Sequence, residues 1–144
     1  MWILLALMSA LMAGVSAVVA KVGLKNVDSS AGFAVQAIVI MLLAWLYSVT
    51  TGASHSLARL EARDWGFLAL SGLISTVAYL FYFAAVKAGN VSRVAPLDSL
   101  SLVFSIVFAV LFISEKLTPP VVLGASLMAG GALIIAVFGG SSAS

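Results

Sequence analysis

The stretch from Trp65 to Val86, WGFLALSGLISTVAYLFYFAAV, contains no charged side chain. A helix that crosses a bilayer needs about 20 predominantly apolar residues, and this stretch is long enough. Four further stretches have the same character, with Asp98 as their one charged residue: residues 1–20, 30–53, 94–114 and 121–140. The sequence therefore predicts an all-α integral membrane protein with five transmembrane helices, at approximately residues 2–20, 31–53, 65–86, 94–114 and 120–139.

The composition of the chain excludes a water-soluble globular domain. Hydrophobic residues make up 63% of the chain and charged residues 8%, whereas a soluble domain carries about 25% charged residues. The net charge of +2 is too small and too scattered to indicate a nucleic-acid partner. The chain has no cysteine, and His55 is its only histidine, so neither a disulfide framework nor a metal site is expected. We expect the lipid bilayer as the solvent and no cofactor.

The domain organisation follows from the spacing of the spans. We expect one membrane domain over residues 1–140 and a disordered tail at residues 141–144.

The first span also resembles the core of a signal peptide, with Val15-Ser16-Ala17 as a cleavage site. No positively charged segment precedes it, and its apolar run exceeds the roughly 7–15 residues of such a core. We therefore interpret it as the first transmembrane helix.

The positive charges of the loops are divided almost evenly between the two sides of the predicted bilayer. Three lie on one side and four on the other: Arg59, Arg63 and Lys116, against Lys21, Lys25, Lys87 and Arg93. An excess of Lys and Arg in short loops normally sets the orientation, and here the excess is minimal. Two hypotheses stay open. Either one orientation wins because Lys21 and Lys25 lie partly inside a helix end, or the chain inserts both ways and pairs antiparallel.

Small and polar side chains mark the faces that membrane helices turn toward each other or toward a cavity, because lipid gives helices no hydrophobic reason to associate. Three spans have such a stripe at helical spacing: Ser9, Ala13, Ser16 and Ala20 in the first, Ser71, Ser75, Tyr79 and Tyr82 in the third, and Asp98, Ser101 and Ser105 in the fourth. The fifth span has Gly124 and Gly131 one heptad apart, and Gly130 four residues after Ser126. We interpret these glycines as a helix-packing surface.

Asp98 is the most informative member of the stripes. Each serine has a plain structural interpretation, because its hydroxyl can bond to a carbonyl of its own helix. An unpaired carboxylate inside a span is costly and is by default a functional candidate. The alternative is an acid at a helix N-terminus, stabilised by the free amides there, with Pro96 near the first helical position. The two interpretations of Asp98 are compatible.

Two other kinds of residue inside the spans need an explanation. Gln36 carries an amide that requires a partner across helices. Tyr79 and Tyr82 combine an aromatic face with a hydroxyl, which is typical of apolar ligand cavities. No catalytic set of residues and no glycine-rich phosphate loop is found, so an enzyme is not expected.

Five charged residues are predicted to lie at helix ends: Lys21, Lys25, Asp28, Glu115 and Lys116. Lys21 and Lys25 are four residues apart, so we expect them on one helix face, with their side chains extending to the interface. Glu115 and Lys116 stand beside the double proline at residues 119–120, and we interpret them as a solvated helix end.

Several motifs together resemble a known family. They are AKVGLKNVDS at residues 20–29, GNVSRVAPLD at residues 89–98, SEKL at residues 114–117, and then Gly124 and Gly130. In order and spacing they are similar to half-size members of the drug/metabolite transporter superfamily, which carry a single EamA domain. The resemblance runs along essentially the whole chain. It is specific to the superfamily and not to any substrate.

The resemblance implies a fold of ten helices in two inverted five-helix repeats, of which this chain carries one. A second half-size subunit is then needed, either this chain in inverted orientation or a paired homologue. In this family the first, third and fourth helices of each repeat line the substrate cavity, and these spans carry the polar stripes. The candidate cavity residues are Ser16, Gln36, Ser75, Tyr79, Tyr82, Asp98, Ser101 and Ser105.

Two departures from the family pattern bear on the substrate. Half-size relatives often have a basic residue where this chain has Gln36, and another where it has Ser99. Both replacements remove positive charge, so the resemblance does not extend to an anion-binding role at these positions. If Asp98 is normally paired with such a basic residue, it has another partner here or carries a proton.

The leading functional hypothesis is a secondary transporter that moves a small organic solute by alternating access, in the plasma membrane and specifically the bacterial inner membrane. One alternative is a proton-coupled exporter like those of the small multidrug-resistance family. That family has four helices and an acidic residue in the first, and residues 1–20 contain none. The other alternative is a non-transporting membrane subunit that uses its glycine and serine faces only for packing.

Overall fold

The structure, a computed structural model, describes residues 1–139, apart from the side chain of Ala58. Its helices are α1 (Trp2–Gly23), α2 (Ser29–Thr50), α3 (Ala62–Ala88), α4 (Val91–Asp98), α5 (Leu100–Ile113) and α6 (Pro119–Phe138). Short 3-10 segments, Leu24–Asn26 and Ala53–Arg59, follow α1 and α2. The predicted tail at residues 141–144 lies outside the described residues.

The prediction of an all-α membrane protein is confirmed. Within the described residues, five helical segments are long and apolar enough to cross a bilayer: Trp2–Asn26, Ser29–Thr50, Ala62–Ala88, Val91–Ile113 and Pro119–Phe138. Only five hydrophobic side chains are buried among the described residues, namely those of Ala17, Leu24, Phe83, Val86 and Ala132. Most large apolar side chains therefore face outward, as a lipid solvent requires.

Local sequence signals explain both ends of α2 and the start of α6. Asp28 has an extended backbone and accepts hydrogen bonds from the backbone N–H of Ser30 at 2.9 Å and from its hydroxyl at 2.6 Å, so it is the N-cap of α2. Gly52, with φ of 73°, occupies a left-handed conformation just after α2 that favours glycine. The double proline at residues 119–120 begins α6, where missing N–H groups cost nothing.

The fourth span differs from the single helix predicted at residues 94–114. It begins at Val91 and is interrupted at Ser99, between α4 and α5. Pro96 lies inside α4 and not near its start, so it removes one helical hydrogen bond. The Ser99 hydroxyl donates to the Pro96 carbonyl, and the Leu102 N–H donates to the Ser99 carbonyl at 3.0 Å. The Ser99 N–H still donates to the Ala95 carbonyl at 3.1 Å, so the interruption is a local tightening to a three-residue hydrogen bond after Ser99.

The described chain forms two compact units. The central unit is Val19–Ala88, and the terminal unit is Met1–Val18 together with the chain from Gly89 onward. In the central unit, α2 packs against α3, and Phe33 near the start of α2 contacts Tyr79 and Phe83 near the end of α3, so the two helices run antiparallel. The buried Leu24 side chain lies against Gly32, where any Cβ atom would collide with it.

In the terminal unit, α4 and α5 both contact α6. The side chains of α6 that are buried or half-buried include a stripe of alanines: Ala125, Ala129, Ala132 and Ala136. Their spacing of four, three and four residues places them on one face of the helix. Alanine lets two backbones approach closely, which is how helices pack where lipid is the solvent.

Candidate functional site

The central unit contains a cluster of four aromatic rings, which we call the aromatic cluster: Phe33, Tyr79, Tyr82 and Phe83. The Phe33 and Tyr79 rings are stacked, with centroids 5.7 Å apart and planes inclined by 19°. Phe83 meets Phe33 edge-on at 5.6 Å and Tyr82 at 6.3 Å. Phe83 is buried, with 3% of its surface exposed, whereas Tyr79 is 47% exposed. The cluster therefore has a fixed inner ring and an accessible outer ring.

Sequence reasoning identified only half of this cluster. Tyr79 and Tyr82 were candidates, but Phe33 and Phe83 were not. Phe83 follows Tyr79 by four residues, so helical spacing alone could have added it. Phe33 lies on another helix, and its contact with Tyr79 depends on how α2 and α3 align.

Two polar candidates lie within one helical turn of the aromatic cluster. Gln36 follows Phe33 by three residues on α2 and is half-buried. Ser75 precedes Tyr79 by four residues on α3 and is exposed. None of the described residues forms a hydrogen bond with the side chain of Gln36, which is half-buried. The partner expected across helices is not supplied by the described residues.

The terminal unit holds the other four candidates: Ser16, Asp98, Ser101 and Ser105. The Ser105 hydroxyl donates to the Ser101 carbonyl at 2.8 Å, one turn earlier, which is the structural role expected of a helical serine. Asp98 is the last residue of α4, with the residue after it breaking the helix. Its side chain is exposed, and none of the described residues donates a hydrogen bond to it.

The interpretation of Asp98 as an acid at the start of its helix is wrong, because α4 begins seven residues earlier at Val91. Asp98 does precede α5, but the N-cap of that helix is Ser99, and no side chain caps its amides. An acidic side chain thus lies at a helix break inside an otherwise apolar span. That location keeps it a functional candidate.

Lys21 has a role that its sequence position did not reveal. Its ammonium group donates hydrogen bonds to the carbonyls of Val86, at 2.7 Å, and Lys87, at 3.0 Å. These carbonyls belong to the last turn of α3, where no helical N–H remains to bond them. The positive charge also faces the negative end of the helix dipole. Lys21 therefore caps α3 within the central unit.

The expectation that Lys21 and Lys25 share one helix face is wrong. Helix α1 ends at Gly23, so Lys25 belongs to the 3-10 segment, where it is exposed. Asp28, also assigned to the helix ends, has a pKa below its ordinary value. Its hydrogen bonds from Ser30 are the main cause, and the positive charge of Lys87 adds to them.

The remaining predicted positions lie in the terminal unit. Glu115 and Lys116 are exposed in the connection between α5 and α6, which agrees with a solvated helix end. Gly124, Gly130 and Gly131 have open space where a Cβ atom would stand, with no other described atom within 4 Å. Gly124 and Gly131 are exposed, whereas Gly130 is half-buried beside the alanine stripe.

Arg93 was counted among the loop charges but not among the site residues. Its guanidinium donates a hydrogen bond to the carbonyl of Ala136 at 3.1 Å, in the last turn of α6. Sequence reasoning missed this contact because the two residues are far apart along the chain. Its role matches that of Lys21 in the other unit.

Comparisons with known proteins show that the chain is similar to transporters. The model of the EamA-like transporter family matches residues 1–137. A protein of Sinorhizobium sp. described as an uncharacterized transporter in the cobO 3' region is 42% identical over 137 residues, which cover 95% of this chain and 97% of that protein. No solved structure matches the chain significantly.

Proposed function

The chain belongs to the EamA-like transporter family, as a half-size member with one EamA domain, and from this premise we propose that it transports a small organic solute by alternating access. In this proposal the chain works as one half of an antiparallel pair in the plasma membrane, specifically a bacterial inner membrane. The second half is another copy of this chain or a paired homologue. The described relative, itself named a transporter, supports the general class of activity.

The observation that carries the proposal is an odd number of spans, five within residues 1–139, in a chain of which one family domain matches residues 1–137. Two copies of a five-helix unit that run in opposite directions produce the inverted repeat common to many secondary transporters. The loop charges, three on one side and four on the other, give either orientation little advantage. Both facts favour a partner of inverted orientation.

Unsatisfied polar groups inside the spans point the same way. Gln36 has no side-chain partner among the described residues, and Asp98 is exposed at a break in its span. Facing lipid, each would carry a substantial cost in free energy. A second half and a solute would provide water, hydrogen-bond partners or an opposing charge. The candidate solute contacts remain Ser16, Gln36, Ser75, Tyr79, Tyr82, Asp98, Ser101 and Ser105.

The orientation can be tested directly because the chain has no cysteine. Cysteine is introduced at exposed His55, between α2 and α3, or at exposed Asn90, between α3 and α4. Intact cells are then treated with a membrane-impermeant maleimide. If the chain inserts both ways, about half of each variant is labelled, because the two positions lie on opposite sides of the bilayer.

Complete labelling of one variant and none of the other contradicts dual insertion. In that case the inverted half must be a separate protein, and it should co-purify with this chain. A chain that has one orientation, purifies without a partner and gives no solute uptake in proteoliposomes would refute the proposal as a whole. The non-transporting subunit would then be the better interpretation.

A further inference from the structure

The aromatic cluster has the composition of a site for a positively charged group. Aromatic faces carry negative electrostatic potential and attract cations, most strongly where water is excluded. No acidic or basic side chain occurs in residues 30–53 of α2 and its following turn, or in residues 65–86 of α3. Positive charge reaches α3 at its end, where Lys21 bonds to the Val86 carbonyl, seven residues after Tyr79. Beside Tyr79, these helix faces offer a cation ring surfaces with hydroxyl and amide oxygens, and they offer an anion no charged side chain of their own.

The aromatic cluster lies within the apolar spans of both helices. Tyr79 precedes the end of α3, Ala88, by nine residues, which at about 1.5 Å per residue places it roughly 13 Å from that end. Phe33, which stacks on it, follows the start of α2, Ser29, by four residues, or roughly 6 Å along that helix. The cluster therefore lies between the helix ends and the middle of the two spans.

One face of the Tyr79 ring is covered by a neighbouring ring, and part of the Tyr79 surface is open to a ligand. Phe33 covers one face of Tyr79 by stacking, and buried Phe83 meets Phe33 edge-on, so the position of the Phe33 ring is fixed from behind. Nearly half of the Tyr79 surface stays open. The Gln36 amide lies one helical turn from Phe33 on α2 and provides an oxygen that can accept a hydrogen bond.

We propose that the aromatic cluster binds the cationic group of the transported solute, an organic ammonium ion, against the open face of Tyr79. Phe33 is a positioning residue that holds this ring, and Gln36 accepts a hydrogen bond from the solute where the ammonium carries a proton. The inference rests on the proposed function and names its substrate class.

The test compares binding of a cation with binding of a neutral molecule of the same shape. Purified protein is titrated with choline, benzyltrimethylammonium and tetraphenylphosphonium, and with 3,3-dimethylbutan-1-ol, which replaces the choline nitrogen by carbon. We expect at least one of the cations to bind, and choline to bind at least roughly tenfold more tightly than its neutral counterpart. Failure of all three cations to bind, or equal affinity for choline and the alcohol, overturns the proposal.

Variants of one helix locate the effect. Tyr79→Leu removes the ring and should weaken cation binding roughly threefold to thirtyfold, while Tyr79→Phe keeps the ring face and should stay within about twofold. Phe81→Leu is the matched control, because it removes a 73% exposed ring two residues away that belongs to no described aromatic pair. Equal losses in Tyr79→Leu and Phe81→Leu, or none in Tyr79→Leu, contradict the assignment.

This result is independent of the orientation experiment. Labelling at positions 55 and 90 can support an antiparallel pair while the binding assay refutes the cation site, and solute uptake then continues with a different substrate class. Conversely, cation binding by a chain that has one orientation, purifies without a partner and gives no uptake would support the binding site and refute transport.

Discussion

The central and terminal units resemble each other at a helix end but differ in the side chains that pack between their helices. In each, a basic side chain reaches the C-terminal carbonyls of another helix: Lys21 on α3, and Arg93 on α6. Between the helices, the central unit places aromatic rings and the terminal unit places alanines. Rings leave a surface that a ligand can contact, whereas alanines bring backbones together and leave little to bind.

The largest expected effect concerns the packing side of this contrast. Phe83→Ala should lower the free energy of unfolding by about 3–5 kcal/mol, because it leaves a cavity in the buried packing of α3. The Phe83 ring contacts the rings of Phe33 and Tyr82, and it lies near Gly32 together with Leu24. Unfolding of the detergent-solubilised protein by sodium dodecyl sulfate measures the change. Phe81→Ala, at an exposed position of the same helix, should change stability little.

The terminal unit should be destabilised by added side-chain volume, and not by a cavity. Ala132→Leu adds volume to a residue that is 3% exposed and should cost about 1–3 kcal/mol through overpacking. If Ala132→Leu were neutral while Phe83→Ala was severe, the alanine stripe would not be a close contact, and the contrast between the units would need a different basis.

The second prediction tests whether the two caps are equivalent. Lys21→Met removes at least two charge-assisted hydrogen bonds, those to the Val86 and Lys87 carbonyls, and should destabilise the protein by about 1.5–3 kcal/mol. Arg93→Met removes one such bond and should cost about half as much. The same unfolding assay applies, with Lys25→Met at an exposed position as the control.

A larger loss in Arg93→Met than in Lys21→Met would show that the number of bonds does not set the strength of a cap. The bidentate geometry open to guanidinium would then be the better explanation, since arginine and lysine are not interchangeable at such contacts. No loss in either variant would reduce both contacts to surface features.

The smallest expected effect concerns a helix start of the central unit. Because the hydrogen bonds from Ser30 lower the pKa of Asp28, its carboxylate stabilises the folded state. This contribution is present above the pKa of the unfolded chain, at about pH 4, and is lost as pH falls through the lower folded pKa. The stability difference between the protein and Asp28→Asn should therefore persist at neutral pH and shrink below about pH 4.

An unfolding titration repeated from pH 7 to pH 3 checks this, with Asp64→Asn at the start of α3 as a second acidic position for comparison. A difference for Asp28→Asn that is absent at pH 7 or grows on acidification would contradict the cap. The order of effects, from ring packing through basic caps to the acidic cap, would then have to be revised.

The spans themselves could be predicted from the sequence because length and hydropathy alone decide what crosses a bilayer. The break at Ser99 could not, because it depends on a three-residue hydrogen bond from the Leu102 N–H to the Ser99 carbonyl, which no residue pattern marks. The caps formed by Lys21 and Arg93 depend on contacts between residues far apart along the chain. A one-dimensional pattern does not contain such contacts.

The candidate site was predicted in the same partial way. Tyr79 and Tyr82 followed from their spacing on α3, but Phe33 required the alignment of α2 with α3. On α6 the motif rule selected Gly124 and Gly131, whereas the packed face includes the alanine stripe. Small residues in a membrane helix indicate that it has a close-packed face. They do not show which of several small residues, glycine, alanine or serine, lie on that face.

The contact between Arg93 and Ala136 also has a consequence for biosynthesis. Helix α5 contains 14 residues, about 21 Å at 1.5 Å per residue, so it is too short to cross the bilayer without α4. The insertion machinery must therefore accept a segment that begins beside an arginine and contains an aspartate. The carbonyl that bonds this arginine lies 43 residues later, which the ribosome reaches after roughly 2–9 s at 5–20 residues per second. Until α6 has been made, the fourth span lacks that bond, so its final placement must await the synthesis of α6.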